Sequence, residues 1–180
     1  MGIHQLSVHH DERQDRLLLR VNTQEGEEFR FWLTRRLSAR LLPAIEQAVG
    51  KLESQRSGVI APDGPTRQML TEMQREAFMQ QADFKTPYAP PPGMQLPLGE
   101  QPLLVTDAQI SVLPQQALQL VLQDHSQGMA RQCQLHLPAP LVHGLLHLAQ
   151  QAIAKADWAL GAPAAPTTEA PAQASPSYAH

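Results

Sequence analysis

Residues 5–8 of this chain read Gln-Leu-Ser-Val, and the pattern returns as Gln-Ile-Ser-Val at residues 109–112. Residues 46–49 read Glu-Gln-Ala-Val and return as Gln-Gln-Ala-Ile at residues 150–153. Both pairs are separated by the same 104 positions. A shared offset at two separate places indicates an internal repeat, in which two copies of one supersecondary unit are joined by a long connector.

The first copy begins with three short runs in which apolar and polar residues alternate. Period-two alternation predicts half-buried strands, and the short polar connections between the runs favour an antiparallel meander. The apolar positions are Leu6 and Val8 in the first run, Leu17, Leu19 and Val21 in the second, and Phe29, Phe31 and Leu33 in the third.

After Thr34 the apolar spacing changes to three and four residues, through Leu37, Leu41 and Ala48. This spacing predicts an amphipathic helix. Thr34 is the predicted N-cap, because its hydroxyl can accept a hydrogen bond from a free N–H of the first turn. Pro43 lies inside the pattern and leaves two alternatives open, a kinked helix or a separate short first segment.

The second copy repeats these elements, with apolar residues at the corresponding positions. Pro138 and Pro140 mark the start of its helix, because proline is tolerated in a first turn. The apolar positions are Ile110 and Val112, then Leu118, Leu120 and Leu122, then Cys133, Leu135 and Leu137, and in the helix Leu141, Leu145, Leu148, Ala152 and Ala156.

The sequence therefore predicts an α+β fold of two tandem strand-strand-strand-helix modules, forming an antiparallel sheet with helices packed on one side. The modules occupy residues 1–54 and 101–160. The connector, 55–100, carries a helix at about 66–82 and a proline-rich segment at 87–97. Two arrangements stay open: one continuous sheet, which we favour, and face-to-face packing about a pseudo-twofold axis.

Composition and termini limit the class of protein. Of 180 residues, 42% are hydrophobic but only 4% are aromatic, so the core must consist mainly of aliphatic side chains. The single cysteine allows no internal disulfide. Apolar runs never approach the roughly 18 residues of a membrane span, and the N-terminus lacks a secretory pattern. We expect a cytoplasmic protein with no membrane contact, whose Ala/Pro/Thr-rich tail, 161–180, is disordered.

A candidate binding surface lies on the sheet face opposite the core of the first module, where Arg20, Arg30 and Trp32 are predicted to sit. An exposed aromatic ring flanked by arginines suits single-stranded nucleic acid, because the ring stacks on a base and the guanidinium groups meet phosphate. The alternative is a solvated face whose tryptophan packs under the connector or against a second subunit. We favour this alternative, because the second module carries mainly glutamine at the matching positions.

Arg35, Arg36 and Arg40 form a second candidate surface at the start of the first helix. Free N–H groups and the positive end of the helix dipole, together with three arginines, can bind a phosphate or an acidic partner. The alternative is that these side chains only cover apolar neighbours on the surface.

The sequence carries no strong catalytic, metal or cofactor motif. His143 and His147 lie one helical turn apart, with His136 as a conceivable third ligand, but the pattern His-Gly-Leu-Leu-His lacks the carboxylate of a zinc protease. Cys133 falls in the inward register and is predicted to be a small core residue rather than a nucleophile. We therefore predict a protein that is not an enzyme and needs no metal or cofactor.

A methionine-bearing helix, Met69 to Met79, is predicted either to cover the chain's own core, the interpretation we favour, or to bind a partner. Two function classes follow. The first is a non-catalytic protein-interaction or assembly module, with self-association as one form. The second is a single-stranded nucleic-acid-binding protein that uses the charged face of the first module. For either class the predicted binding residues are Arg20, Arg30, Trp32, Arg35, Arg36 and Arg40.

Overall fold

The computed structural model describes residues 2–57, 64–81, 86–90, 93–115, 117–126, 128 and 131–158. Within these residues the fold is α+β, with one four-stranded and one three-stranded sheet. The first part contains β1 (Ile3–Asp11), β2 (Arg16–Thr23), β3 (Glu28–Thr34), α1 (Arg35–Ser57) and α2 (Gly64–Gln81). The second part contains β4 (Leu103–Leu104), β5 (Asp107–Leu113), β6 (Ala117–Asp124), β7 (Arg131–Pro138) and α3 (Ala139–Lys155).

The four-stranded sheet has the order β1-β2-β3-β4, and its first three strands are antiparallel. The register places Leu19 beside Val8 on one strand and Phe31 on the other, so that aliphatic and aromatic side chains share the inner face. Leu19 and Phe31 are almost completely buried. The alternation of apolar and polar residues therefore predicted the inner face of this sheet correctly.

The three-stranded sheet has the order β5-β6-β7 and is antiparallel throughout. Leu120 in the central strand lies opposite Ile110 on one side and Leu135 on the other. The buried positions of β6 and β7 are occupied by leucine, with two exceptions, Cys133 and Asp124 at the end of β6, in agreement with a mainly aliphatic core.

One short segment connects the two sheets. Leu103 and Leu104 pair in parallel with β3, and the Val105 N–H donates to the carbonyl oxygen of Trp32 at 3.0 Å. The next residue, Thr106, donates its N–H to the carbonyl oxygen of Gln123 in β6 at 2.8 Å. The chain thus leaves one sheet and enters the other within one residue. The two antiparallel units belong to two sheets, so the favoured prediction of a single continuous sheet is wrong.

Helices α1 and α3 each pack mainly against a strand of the other half. Helix α1 contacts β5 most extensively, and α3 contacts β1. The two helices also contact each other, where the side-chain N–H of Gln150 donates to Glu46 Oε1 at 2.9 Å. These contacts join the inner faces of both sheets into one hydrophobic core.

The first helix starts as predicted and continues through its proline. Thr34 Oγ1 accepts a hydrogen bond from the Leu37 N–H at 3.2 Å, which confirms the N-cap. Helix α1 is continuous from Arg35 to Ser57, so Pro43 does not separate a short first segment. Pro43 and Ala39 are exposed, and water can therefore hydrate the Ala39 carbonyl that proline leaves without an N–H donor.

The structure describes part of the connector. Helix α2, Gly64–Gln81, overlaps the helix expected at about 66–82. The tail expected to be disordered, 161–180, lies outside the described residues. Among the helices that the structure describes, none is long and apolar enough to cross a membrane.

Candidate functional site

Arg20, Arg30 and Trp32 share the outer face of the four-stranded sheet, as the alternation predicted. The register places Arg20 directly opposite Arg30 and Leu18 opposite Trp32. Two arginines facing each other across strands repel unless other groups compensate their charge. The surroundings of this pair therefore decide whether it is available to a ligand.

Both arginines of this pair have intramolecular partners. Arg20 Nε donates to Ser7 Oγ at 3.1 Å, and its guanidinium lies 4.5 Å from the ring centre of Tyr88. Arg30 donates to Glu28 Oε2 at 3.2 Å and to the carbonyl oxygen of Glu100 at 3.4 Å. A phosphate bound here would have to displace these contacts.

The connector supplies two of these partners and is held in place by backbone hydrogen bonds. The Glu28 N–H donates to the Gln95 carbonyl at 2.8 Å, and the Gln95 N–H donates to the Gly26 carbonyl at 2.9 Å. Burial, followed by the nearby Glu28 carboxylate, raises the pKa of Tyr88 above its usual range. Tyr88 is thus a neutral aromatic ring lying over Arg20, where the sequence suggested a face open to solvent.

Arg35, Arg36 and Arg40 are exposed on the first turns of α1. Arg40 borders a cavity of about 240 Å³ between α1 and β5, with Leu41 and Ile110 among its apolar lining and Asp107 on the opposite side. Because α1 packs toward the core, these three arginines are not on the face that carries Arg20 and Arg30. The six predicted binding residues therefore form two separate surfaces.

The three histidines considered as metal ligands each contact another polar side chain of the chain. His143 Nε2 lies 2.8 Å from Glu53 Oε1, and both side chains are buried between α3 and α1. His147 Nε2 lies 2.9 Å from Gln151 Nε2, and His136 Nε2 lies 2.8 Å from Gln134 Nε2. In the part of the chain that the structure describes, no group of three or more His, Cys, Asp or Glu residues is arranged to hold a metal ion.

Cys133 is a buried core residue, as predicted. Burial, with a smaller contribution from the Glu27 carboxylate, raises the pKa of its thiol to about 11. The thiol is therefore protonated at neutral pH and is a poor nucleophile.

Helix α2 presents Met69 and Met73 to solvent. Met69 is 63% exposed and Met73 is 58% exposed, and they are the exposed large hydrophobic residues of the described chain. The favoured interpretation, in which this stripe covers the chain's own core, is wrong for these two residues. Met69 and Phe78 are nine residues apart, or two and a half helical turns, so they cannot share a face.

The opposite side of α2 holds the helix against the rest of the molecule. Phe78 stacks on the His143 ring at a centroid distance of 6.0 Å and packs beside Gly144. Arg75 donates to Gln150 Oε1 at 2.7 Å. These contacts turn Met69 and Met73 outward.

Two exposed carboxylates accompany the methionines. Glu72 and Glu76 lie three and seven positions after Met69, which places them on the same side of the helix. We refer to Met69, Glu72, Met73 and Glu76 as the methionine face. Phe78 lies about 180° around the helix from Met69 and about 140° from Met73, and this spacing was the sequence signal that could have revealed the orientation of α2. No protein-family model, curated protein or solved structure matches the chain.

Proposed function

We propose that this protein is a non-catalytic protein-interaction module whose docking surface is the methionine face of α2. The observation that carries the proposal is the exposure of Met69 and Met73 on a helix that is anchored through its other side. Met69 and Met73 are four residues apart and adjacent on the helix surface, and adjacent exposed apolar side chains with a polar rim are typical of an interaction site.

The chemistry of the face favours a helical protein partner with a basic rim. Methionine adapts its shape to irregular apolar surfaces and recurs where amphipathic helices bind. The exposed carboxylate of Glu76 is placed to meet lysine or arginine at the edge of such a helix. Burial of each partly exposed methionine would contribute about 1–2 kcal/mol to binding.

Site-specific photo-crosslinking in cells that produce the protein tests this proposal. A photoreactive side chain at Met73 should yield a discrete cross-linked protein, and the product should disappear in a chain that also carries Met69→Glu. The matched control is the same probe at Gln47, an exposed position on α1. Identical products from both positions, or no product at Met73, would contradict the proposal.

We also infer that the two halves descend from one duplicated unit, which suits a role in assembly. Each half carries three antiparallel strands followed by a long helix, in the same order. Glu46 and Gln150, which are 104 positions apart, contact each other directly, as expected for residues beside a pseudo-twofold axis. The mutual packing of α1 on β5 and α3 on β1 supports the same inference.

Single-stranded nucleic-acid binding is the alternative proposal. The observation in its favour is that Arg20, Arg30 and Trp32 share one face, with Trp32 only half-buried. The contacts of both arginines with Tyr88, Glu28 and Glu100 count against it. Salt-dependent binding of an oligonucleotide that is lost in Arg30→Ala would favour this alternative over the protein-interaction module.

A further inference from the structure

Strand β7 is the last strand of the three-stranded sheet. All eight of its residues pair with β6 on one side. Among the described residues, no strand pairs with its other side. An unpaired strand edge presents N–H and C=O groups that can pair with another chain.

The corresponding edge in the first half is covered. Strand β3 pairs in parallel with Leu103–Leu104, and Glu27, next to it, forms a bridge with Gln95. Gln95 and residues 103–105 thus cover part of the edge of β3, and the described residues include no counterpart beside β7. The described residues thus leave the outer edge of β7 unpaired. Strands β1 and β5 are also outer strands, but each contacts a helix of the other half more extensively than β7 contacts α3.

The edge of β7 also lacks features that commonly prevent strands from pairing. Its outward side chains, Gln132, Gln134 and His136, are exposed and carry no permanent charge. Arg131, at the start of the strand, donates to Asp124 Oδ2 at 2.9 Å. Pro138 occupies the last position, where it leaves the interior of the strand unaffected.

We propose that β7 pairs with β7 of a second copy of this chain, antiparallel about a twofold axis at Gln134. Gln134 then lies opposite Gln134 of the second copy, and Gln132 lies opposite His136. The pairing joins two three-stranded sheets into one and places no like permanent charges opposite each other.

A second copy fits this edge better than the chain's own tail. Residues 159–180 contain Pro163, Pro166, Pro171 and Pro176, so no stretch of that segment offers an uninterrupted set of N–H donors eight residues long. Strand β7 itself has seven consecutive residues without proline before Pro138. The contact involves one strand from each molecule, so we expect a small interface and a dimer that dissociates on dilution.

Analytical ultracentrifugation of the full chain over a range of concentrations tests the proposal. The wild-type chain should shift from monomer to dimer as its concentration rises. Gln134→Lys and Gln134→Glu should each weaken the dimer about tenfold or more, because they bring like charges together at the axis. An equimolar mixture of the two variants should restore dimerisation, since opposite charges then meet.

Gln109→Lys is the matched control. Gln109 is exposed on β5, in the same row as Val121 and Gln134 but at the other side of the sheet. This variant should dimerise like the wild type, and circular dichroism should show that all variants are folded. A chain that is monomeric at every concentration, or a loss of dimer in Gln109→Lys equal to that in Gln134→Lys, overturns the proposal.

The proposal is independent of the methionine face, and one further variant separates the two. A chain with Met69→Glu and Met73→Glu should dimerise normally, even if it loses its cross-linked partner. Loss of the dimer in that variant, with Gln134→Lys unaffected, would assign self-association to α2 and overturn pairing through β7.

Discussion

Asp124, at the end of β6, is a buried carboxylate with several donors. It accepts hydrogen bonds from the Ser126 N–H at 2.8 Å and from Arg131 at 2.9 Å. Burial alone would raise the pKa of Asp124, but the hydrogen bonds from Ser126 and Arg131 outweigh burial and hold the pKa below its usual value. Asp124 thus joins β6, the following turn and β7 in its ionised form.

We expect Asp124→Asn to lower the free energy of unfolding at pH 7 by about 1.5–3 kcal/mol, because hydrogen bonds to a charged group are lost. The pKa is lower in the folded than in the unfolded chain. The carboxylate therefore stabilises the protein above the unfolded pKa, and this contribution is lost as the pH falls through the folded pKa. Urea unfolding of both chains between pH 7 and pH 2 should show the difference shrinking with acid.

Asp107→Asn is the control for this measurement, because Asp107 is exposed. It should change the free energy of unfolding by no more than about 0.5 kcal/mol. A loss in Asp124→Asn that stays the same across the pH range would show that the ionised carboxylate is not its source.

At the scale of secondary structure, α2 is positioned by a small cluster at the junction of three helices. His143 on α3 contacts Glu53 on α1, and Phe78 on α2 stacks on the imidazole. The buried His143 and Glu53 pair is therefore covered by the same residue that orients the methionine face. Removal of the Phe78 side chain should therefore destabilise α2 more than it destabilises the sheets.

We expect Phe78→Ala to increase hydrogen exchange of the α2 amides, since the helix loses its aromatic contact with α3. Amides of β2 and β6, which lie in the centres of the sheets, should exchange as in the wild type. Mass spectrometry of exchanged peptides measures both regions. Met73→Ala, on the opposite side of α2, should leave the exchange of α2 unchanged, and an equal effect of both variants would contradict the anchoring role of Phe78.

At the scale of the whole molecule, the exchanged packing of the helices makes each half depend on the other. Helix α1 packs mainly on β5, and α3 packs mainly on β1. The inner face of each three-stranded unit would be exposed without the helix of the other half. We therefore expect that neither half can bury its core alone.

We therefore expect residues 1–57, produced alone, not to fold as a monomer. Circular dichroism and light scattering should show an unfolded or self-associated fragment, while the full chain is folded. Mixing this fragment with residues 101–158 should restore helical and strand signals. A cooperatively folded monomer of residues 1–57 would show that the exchanged helix packing is not required.

The local elements of this fold could be predicted because their signals lie in neighbouring residues. Alternation around Leu19 and Leu120 indicates strands, and the spacing after Thr34 indicates a helix with its cap. Strand β4 has only two residues, too few for any period, and its pairing with β3 depends on contacts distant in sequence. Trp158 likewise lies outside the repeated pattern, yet it donates to Asp15 Oδ1 at 2.7 Å and ties the end of α3 to the turn after β1.

The candidate sites also combine features that could be predicted from neighbouring residues with features that depend on contacts distant in sequence. The sequence placed Arg20, Arg30 and Trp32 on one face correctly, but it contained no signal that Tyr88 and Glu100 would contact the two arginines. It located the methionine helix but not the side that faces solvent, because orientation depends on where Phe78 packs.

The sequence by itself determined the order of the six longer strands and the helices, the inner face of each antiparallel unit and the burial of Cys133. These features follow from side-chain periodicity, which acts over a few residues. Only the tertiary structure decided the division into two sheets, the exchange of helices, the covered arginine face and the open edge of β7. These features depend on which of several similarly apolar surfaces pack together, and this packing depends on contacts along the entire chain.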